Sequence, residues 1–357
     1  QRSPGRFLTR PLLIMNTAIV WFRKCLRVDD NPSLVQACED SSVDAILPIF
    51  ILDPGIVGEN FEHYGKNRIR FLLECLEDLD QKLKAKAASP LIIFHGSPLD
   101  VVNSLQICFK ERLHSLSTEY CSEPHGRSTT HAVSECIEKT TDRPAYFHPA
   151  AHTILNVEKT VSANGFKNPK SMKDIQKIVS STFDLDSDGF FKIPNPVAEP
   201  RVFQQSPKDF DSQSCAQHFN GDLHTCSSLR NKFSKLKFLD IPDKNCYFKG
   251  GETEARLRLK EKVSNRHEYV NTFKKPKTSS TNIPSNPREP STTGLSPYLS
   301  VGSLSVRRLW KEVEKANRTG PHSIPPESLH GQLLFREMFY LLSRAVENWD
   351  QDQNNSM

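Results

Sequence analysis

The chain has 357 residues, room for two domains, with 37% apolar and 9% aromatic content and a mild net charge of +5. Nine cysteines, an odd number without a C-x-x-C pair, argue against a disulfide framework and for a reducing compartment. No run approaches the ~18 apolar residues of a membrane span, and no G-x-G-x-x-G string marks a dinucleotide turn.

Residues 1–14 carry Arg2, Arg6 and Arg10 and no acid, and read as an N-terminal extension. Short apolar runs at 18–22, 45–52 and 91–94 alternate with helical patterns at 32–38, 68–83 and 101–113. In the second helix Phe71, Leu72, Leu76, Leu79 and Leu83 mark the buried face. Strands alternating with amphipathic helices predict a parallel sheet covered on both faces, an α/β Rossmann-like domain over 15–165. Trp21, Arg23, Arg27, Asp30 and Asn31 shape the loop after its first strand.

From 166 to 248 Pro, Ser, Asp and Lys dominate without a sustained period, which predicts a linker with a low-complexity insertion. Two metal-like strings lie in it. Asp184, Asp186, Asp188 and Gly189 copy the start of a calcium loop, but Asn195 stands at its twelfth position, where a bidentate Glu is required. Cys215, His218, His224 and Cys226 match no common zinc module, so no metal is expected. Between 230 and 277, fourteen Lys/Arg face six acids, a net +8 that suits a polyanion or a solvated face equally.

Beyond 248, Gly250-Gly251 opens a helix with Glu252 and Glu254 in its first turn and basic residues after them. Lys274-Lys275-Pro276-Lys277 passes for a nuclear-import string, within a Lys/Pro/Ser loop over 274–291. Thr292-Thr293-Gly294-Leu295-Ser296-Pro297 then reads as a helix start with an anion seat. Ser296 suits the N-cap and Pro297 the first helical position, and the hydroxyls of Thr292, Thr293 and Ser296 converge with free N–H groups. Val301-Gly302-Ser303 stops this helix and caps the next, whose buried face is Val306, Leu309, Trp310 and Val313. In the last helix Leu334, Met338, Leu341, Leu342 and Ala345 form an apolar stripe. Gln332, Phe335 and Arg336 share another face, offering an amide, an aromatic plane and a guanidinium. A capped helical hairpin and a site for a phosphorylated ring compound both satisfy these residues.

The two strings around Gly294 and Gln332 resemble the flavin-binding half of the photolyase/cryptochrome family, closest to its animal (6-4) photolyase and cryptochrome branch. The resemblance extends to Val20-Trp21-Phe22-Arg23, Asn67-Arg68-Ile69-Arg70-Phe71, Glu119-Tyr120-Cys121-Ser122-Glu123-Pro124, Gly250-Gly251-Glu252 and Phe273-Lys274-Lys275-Pro276, in the family's order. It implies an antenna domain over 15–165 and the beginning of an all-α FAD-binding domain over 249–357. It also implies FAD held by Phe273, Thr292, Thr293, Gly294, Leu295, Ser296, Gln332 and Arg336. A second antenna chromophore of unknown identity is the further cofactor. Gln332 and Phe335 would face the flipped lesion, with Phe335 where relatives usually have Trp.

The function so implied is blue-light-driven, FAD-dependent repair of (6-4) photoproducts by a monomer acting on UV-damaged DNA. The nucleus is the expected compartment, with cytoplasm or mitochondrion as alternatives. A cryptochrome-type photoreceptor or transcriptional regulator without repair activity is the other reading. The family's downstream half carries its Asp, His and relay Trp residues, so no catalytic residue is named. A fragment or an inactive truncated paralogue is therefore expected, holding flavin poorly, with the stripe Leu334, Met338, Leu342 and Ala345 left exposed.

Overall fold

The computed structural model describes residues 15–351 except 87, 142, 166, 209, 242–246, 277–281, 284, 285, 291, 347 and 350. The extension 1–14 and Lys277 of the basic string lie outside the described residues.

Six strands make one sheet: β1 (Thr17–Phe22), β2 (Ala45–Leu52), β3 (Ile92–His95), β4 (Leu113–Glu119), β5 (Ala145–His148) and β6 (Asp222–His224). The order is β5-β4-β1-β2-β3-β6, parallel throughout except for β6, which runs antiparallel to β3. The chain builds outward from β1 to β3, then crosses back to β4 on the other side of β1. Strand alternation separates two cores. Ile19, Trp21, Leu47, Ile49 and Phe94 pack with Val101, Leu105 and Val133 on one face. Ala18, Val20, Phe22, Ile46, Phe50 and Ile93 pack on the other face, in a core that continues into Leu295, Trp310 and Leu334. The sheet and the C-terminal helices thus share one interior.

The predicted β1, β2 and β3 are present, and the helices at 32–38 and 68–83 become Pro32–Glu39 and Lys66–Ala85. The helix expected over 101–113 runs instead over Pro98–Phe109, because Lys110 turns to φ 50° and Leu113 opens β4. β4 hid from the apolar pattern because its buried side chains include Ser115, Ser117 and Thr118. They are satisfied internally: Thr118 Oγ1 donates to the Trp21 carbonyl at 2.7 Å and Ser117 meets His148 at 3.0 Å.

The stretch 166–248 is not a featureless linker. It carries the helix Met172–Thr182, closed by a Ser171/Asp174 capping box, then β6 and the helix Cys226–Lys235. Its buried residues Ile175, Ile178, Val179, Leu229 and Phe233 belong to the main core. The helix Met172–Thr182 packs on Leu329–Ala345, which corrects a second expectation. Leu334, Met338 and Leu342 are buried and Ala345 is packed against the core; Phe335 and Phe339 are the exposed apolar residues. The two metal-like strings also have other uses. Cys215 and Cys226 lie in the cores on opposite faces of the sheet, so the four candidate ligands do not converge. Among the described residues no group of His, Cys, Asp or Glu is placed to hold a metal ion.

Candidate functional site

The helix Ser296–Val301 follows a turn in which Gly294 adopts φ +63°. Any side chain there would press on Arg258, whose Nε donates to the Thr293 carbonyl at 2.8 Å. Ser296 is not the N-cap. Leu295 takes that position without a side-chain hydrogen bond, and Ser296 is the first helical residue, exposed at its start. The reason is backbone geometry: Leu295 already has helical φ −90° and ψ −9°, so the turn closes one residue early. With six residues this helix has a small dipole, and an anion here would rely on hydroxyls and N–H groups. Gly302 ends the helix at φ +70°, and the cap of the next helix, Val306–Asn317, is Ser305 instead of Ser303, accepting from Arg308 N at 3.1 Å. Val306, Leu309, Trp310 and Val313 are buried as the spacing predicts.

These turns frame a cavity of about 610 Å³. Phe273, Thr292, Thr293, Gly294, Leu295, Ser296, Gln332 and Arg336 all line it. Phe335 does not; it stands 45% exposed with its ring edge-on to Phe339, 5.0 Å between centroids, and Phe339 does line the cavity. Arg336 is heavily committed to protein groups. Its Nη2 donates to the His152 carbonyl at 2.8 Å and its Nη1 to Glu337 at 3.0 Å, while the guanidinium lies 4.6 Å over the Tyr340 ring. The amide nitrogen of Gln332 donates to the Pro326 carbonyl at 3.3 Å. Tyr340, Phe339 and Ser343 were missed from sequence, although they follow Gln332 and Arg336 at helical spacing on the same face.

A second cavity, about 450 Å³, opens at the C-terminal ends of β1, β2 and β4. This is where the strand order reverses, the usual ligand crevice of such sheets. Trp21, Arg23, Lys24, Arg68, Tyr64 and His152 are among its walls, and Arg23 stacks 4.7 Å over Trp21. His152 is 5% exposed, and neither ring nitrogen has a hydrogen-bond partner among the described residues. Burial, with Arg336, Lys24, Arg27 and Arg23 nearby, holds it neutral by lowering its pKa well below the usual value. Glu119, 1% exposed, accepts from the Lys24 backbone N–H, and burial raises its pKa.

The family model for DNA photolyase matches residues 18–200. Cryptochrome-1 of Spalax judaei is 33% identical over 95% of this chain and 52% of its own length. The (6-4)DNA photolyase of Arabidopsis thaliana is 31% identical over 99% of this chain and 60% of its own. The chain thus spans between half and two thirds of the length of these relatives. Among solved structures, a Synechocystis cryptochrome superposes with TM-score 0.68 at 17% identity, over 93% of this chain and 62% of that one. An archaeal photolyase from Sulfolobus tokodaii, solved with two FAD molecules, gives 0.62 at 18%, over 93% and 60%. At those identities the structures speak for the fold alone.

Proposed function

Because this chain belongs to the DNA photolyase family, we propose that its 610 Å³ cavity is the phosphate end of a FAD site serving light-driven DNA repair, of the (6-4) type. One observation carries the reading: residue 273, the 292–296 turn and the 332–336 helix face, distant in sequence, meet around one cavity. The residues fit such a ligand. Gly294 keeps the turn free of a side chain, and Thr292, Thr293 and Ser296 present hydroxyls for the pyrophosphate. Gln332 presents an amide to the ligand, and Phe273, 6% exposed, closes an apolar edge. Arg336 sets the wall and adds positive charge behind it. Bound reduced FAD would supply the excited-state electron that splits the photoproduct. Phe335 and Phe339 offer exposed π faces beside the cavity for an unstacked base. Basic residues over 230–277 would add salt-dependent affinity for DNA phosphates in the nucleus. The cavity at the sheet ends suits a second, antenna chromophore.

The second reading is a cryptochrome-type photoreceptor or transcriptional regulator without repair activity, favoured by the cryptochrome relatives at 33% identity. One preparation tests both. The chain is purified with FAD, its flavin absorbance measured, and light-dependent repair assayed on duplexes carrying a (6-4) or a cyclobutane lesion. Replacing Ser296→Ala with Gln332→Ala removes two polar contacts of about 1 kcal/mol each, so FAD affinity should fall about tenfold or more. Unchanged flavin occupancy in that double variant would remove the assigned seat. Flavin retained without repair of either lesion would favour the photoreceptor.

A further inference from the structure

The two cavities share a wall. Glu123, Ser300 and Tyr340 line both of them. Behind Tyr340, Arg336 Nη2 donates at 2.8 Å to the carbonyl of His152, a residue of the sheet-end cavity. The same nitrogen lies 3.4 Å from the Leu299 carbonyl, in the helix that follows the Thr292–Ser296 turn, and 3.3 Å from Tyr340 Oη. The His152 ring meets Tyr340 edge-on, 5.0 Å between centroids at 70°.

We propose that the two cavities are thermodynamically linked: a planar anionic ligand in the sheet-end cavity tightens binding at the Thr292–Ser296 seat, through His152, Arg336 and Tyr340. The linkage rests on the reading that both cavities take ligands. His152 is the sensing group: its residue lines the cavity, its imidazole is 5% exposed, and its two shielded nitrogens have no hydrogen-bond partner among the described residues. A buried polar group without a partner is unfavourable, so a ligand that hydrogen-bonds it fixes the ring. Fixing His152 fixes the carbonyl that Arg336 holds, and Arg336 in turn orders Leu299 and the turn ahead of it. Coupling of this kind changes affinity by about fivefold or more, equally in both directions.

The test uses the whole chain, with ADP as the probe of the seat and FMN as the probe of the sheet-end cavity, followed by calorimetry. Saturating FMN should tighten ADP about fivefold or more, and saturating ADP should tighten FMN by the same factor. Arg23→Glu, which reverses charge in the sheet-end cavity only, should abolish FMN binding and the response of ADP to FMN. Tyr340→Phe, which removes the Oη contact with Arg336, should shrink the factor by which each probe tightens the other. Equal ADP affinity with and without bound FMN overturns the linkage and leaves the seat intact. Competition, with ADP weakening as FMN rises, overturns it as well. A chain that takes no ADP even alone refutes the seat itself, and the linkage falls with it.

Discussion

Arg27 Nη1 donates to the Gly302 carbonyl at 2.8 Å, joining residues 275 positions apart in sequence. The guanidinium is 1% exposed and also donates to the carbonyls of Asp29, Asp30 and Ala151. Beside it Asp30, fully buried, holds Arg307 through both carboxylate oxygens, at 3.0 and 2.7 Å, and accepts from Ser305 Oγ. Glu252 completes the junction by accepting from Val28 N at 2.9 Å. The loop after β1 therefore fixes how the sheet meets the helices, and with it the geometry of both cavities.

Removing one partner of a buried ion pair leaves the other charged and undersolvated, at about 3 kcal/mol or more. Asp30→Asn strands Arg307 in this way, and equilibrium denaturant unfolding should show that loss. A change under about 1 kcal/mol would mean that the junction is open to water in solution.

Gly302 and Gly320 make a matched pair of controls. At Gly302, φ is +70° and a Cβ would overlap the Lys24 carbonyl, backbone that cannot yield without moving the β1 loop. Gly302→Ala is expected to lose about 4 kcal/mol or more, or to abolish soluble expression. At Gly320 a Cβ meets open space, so Gly320→Ala should stay within about 0.5 kcal/mol of the parent. Similar melting temperatures for the two variants would contradict the close approach of the loop to Gly302.

How far the sequence carried this structure depended on which residues were buried. β1 and β2 are continuous apolar runs, and their bounds were legible almost to the residue. β4 was not, because an interior strand can bury Ser115, Ser117 and Thr118 when hydrogen bonds satisfy them. The stretch 166–248 hid its order for a different reason: Ile175, Ile178 and Val179 do recur at helical spacing behind the Ser171/Asp174 capping box, but each helix is short and set among polar residues, so the signal was overlooked. The seat residues were placed around one cavity, yet the capping role of Ser296 was not legible, since Leu295 takes a helical conformation no residue type announces. His152 and Tyr340 gave no local signal of a shared wall, which arises where the loop after β5 meets the last helix.

His330 supplies a pH prediction. It is 7% exposed and stacks on Trp310 at 4.1 Å; its Nε2 meets the Trp310 carbonyl at 3.2 Å and its Nδ1 lies 3.4 Å from Asn317 Nδ2. This arrangement requires the neutral ring, donor at Nε2 and acceptor at Nδ1. Burial brings its pKa down to about 4; the Trp310 carbonyl and Glu314 act upward, and His322 and Lys311 downward. A lowered histidine pKa means that folding excludes a proton the unfolded chain binds. The associated stability is complete above about pH 6.5 and drains as pH falls toward 4, by roughly 3 kcal/mol in all. His152 shares the sign. Unfolding free energies at pH 7 and pH 4.5 should therefore differ, and by less in His330→Phe. An unchanged pH slope in that variant would show that His330 does not titrate this way.

The calcium-like string at 184–189 yields the remaining prediction, that it binds no calcium. Asp186 Oδ1 accepts from the backbone N–H of Asp188 at 3.0 Å and of Phe190 at 2.9 Å, which closes the turn on itself. Its other oxygen and the Asp188 carboxylate both meet the Arg318 guanidinium, which also reaches Glu314 at 2.8 Å and lies 4.5 Å over the Phe190 ring. The Arg318 hydrogen bond and the Phe190 N–H lower the Asp186 pKa to about 2, so the carboxylate is charged, but its charge is already answered. Calcium needs six or more oxygens turned to one point, whereas two of these carboxylates are turned to an arginine at the end of the helix Val306–Asn317. The string is a clamp from the 166–248 stretch onto the helical region. Calorimetric titration with millimolar calcium chloride should give no saturable heat, and melting curves with and without calcium should superpose. Arg318→Ala should lower the melting temperature through loss of the clamp, most visibly at low ionic strength. Saturable calcium uptake by the unmodified chain, with a raised melting temperature, would show that the carboxylates leave Arg318 for a metal.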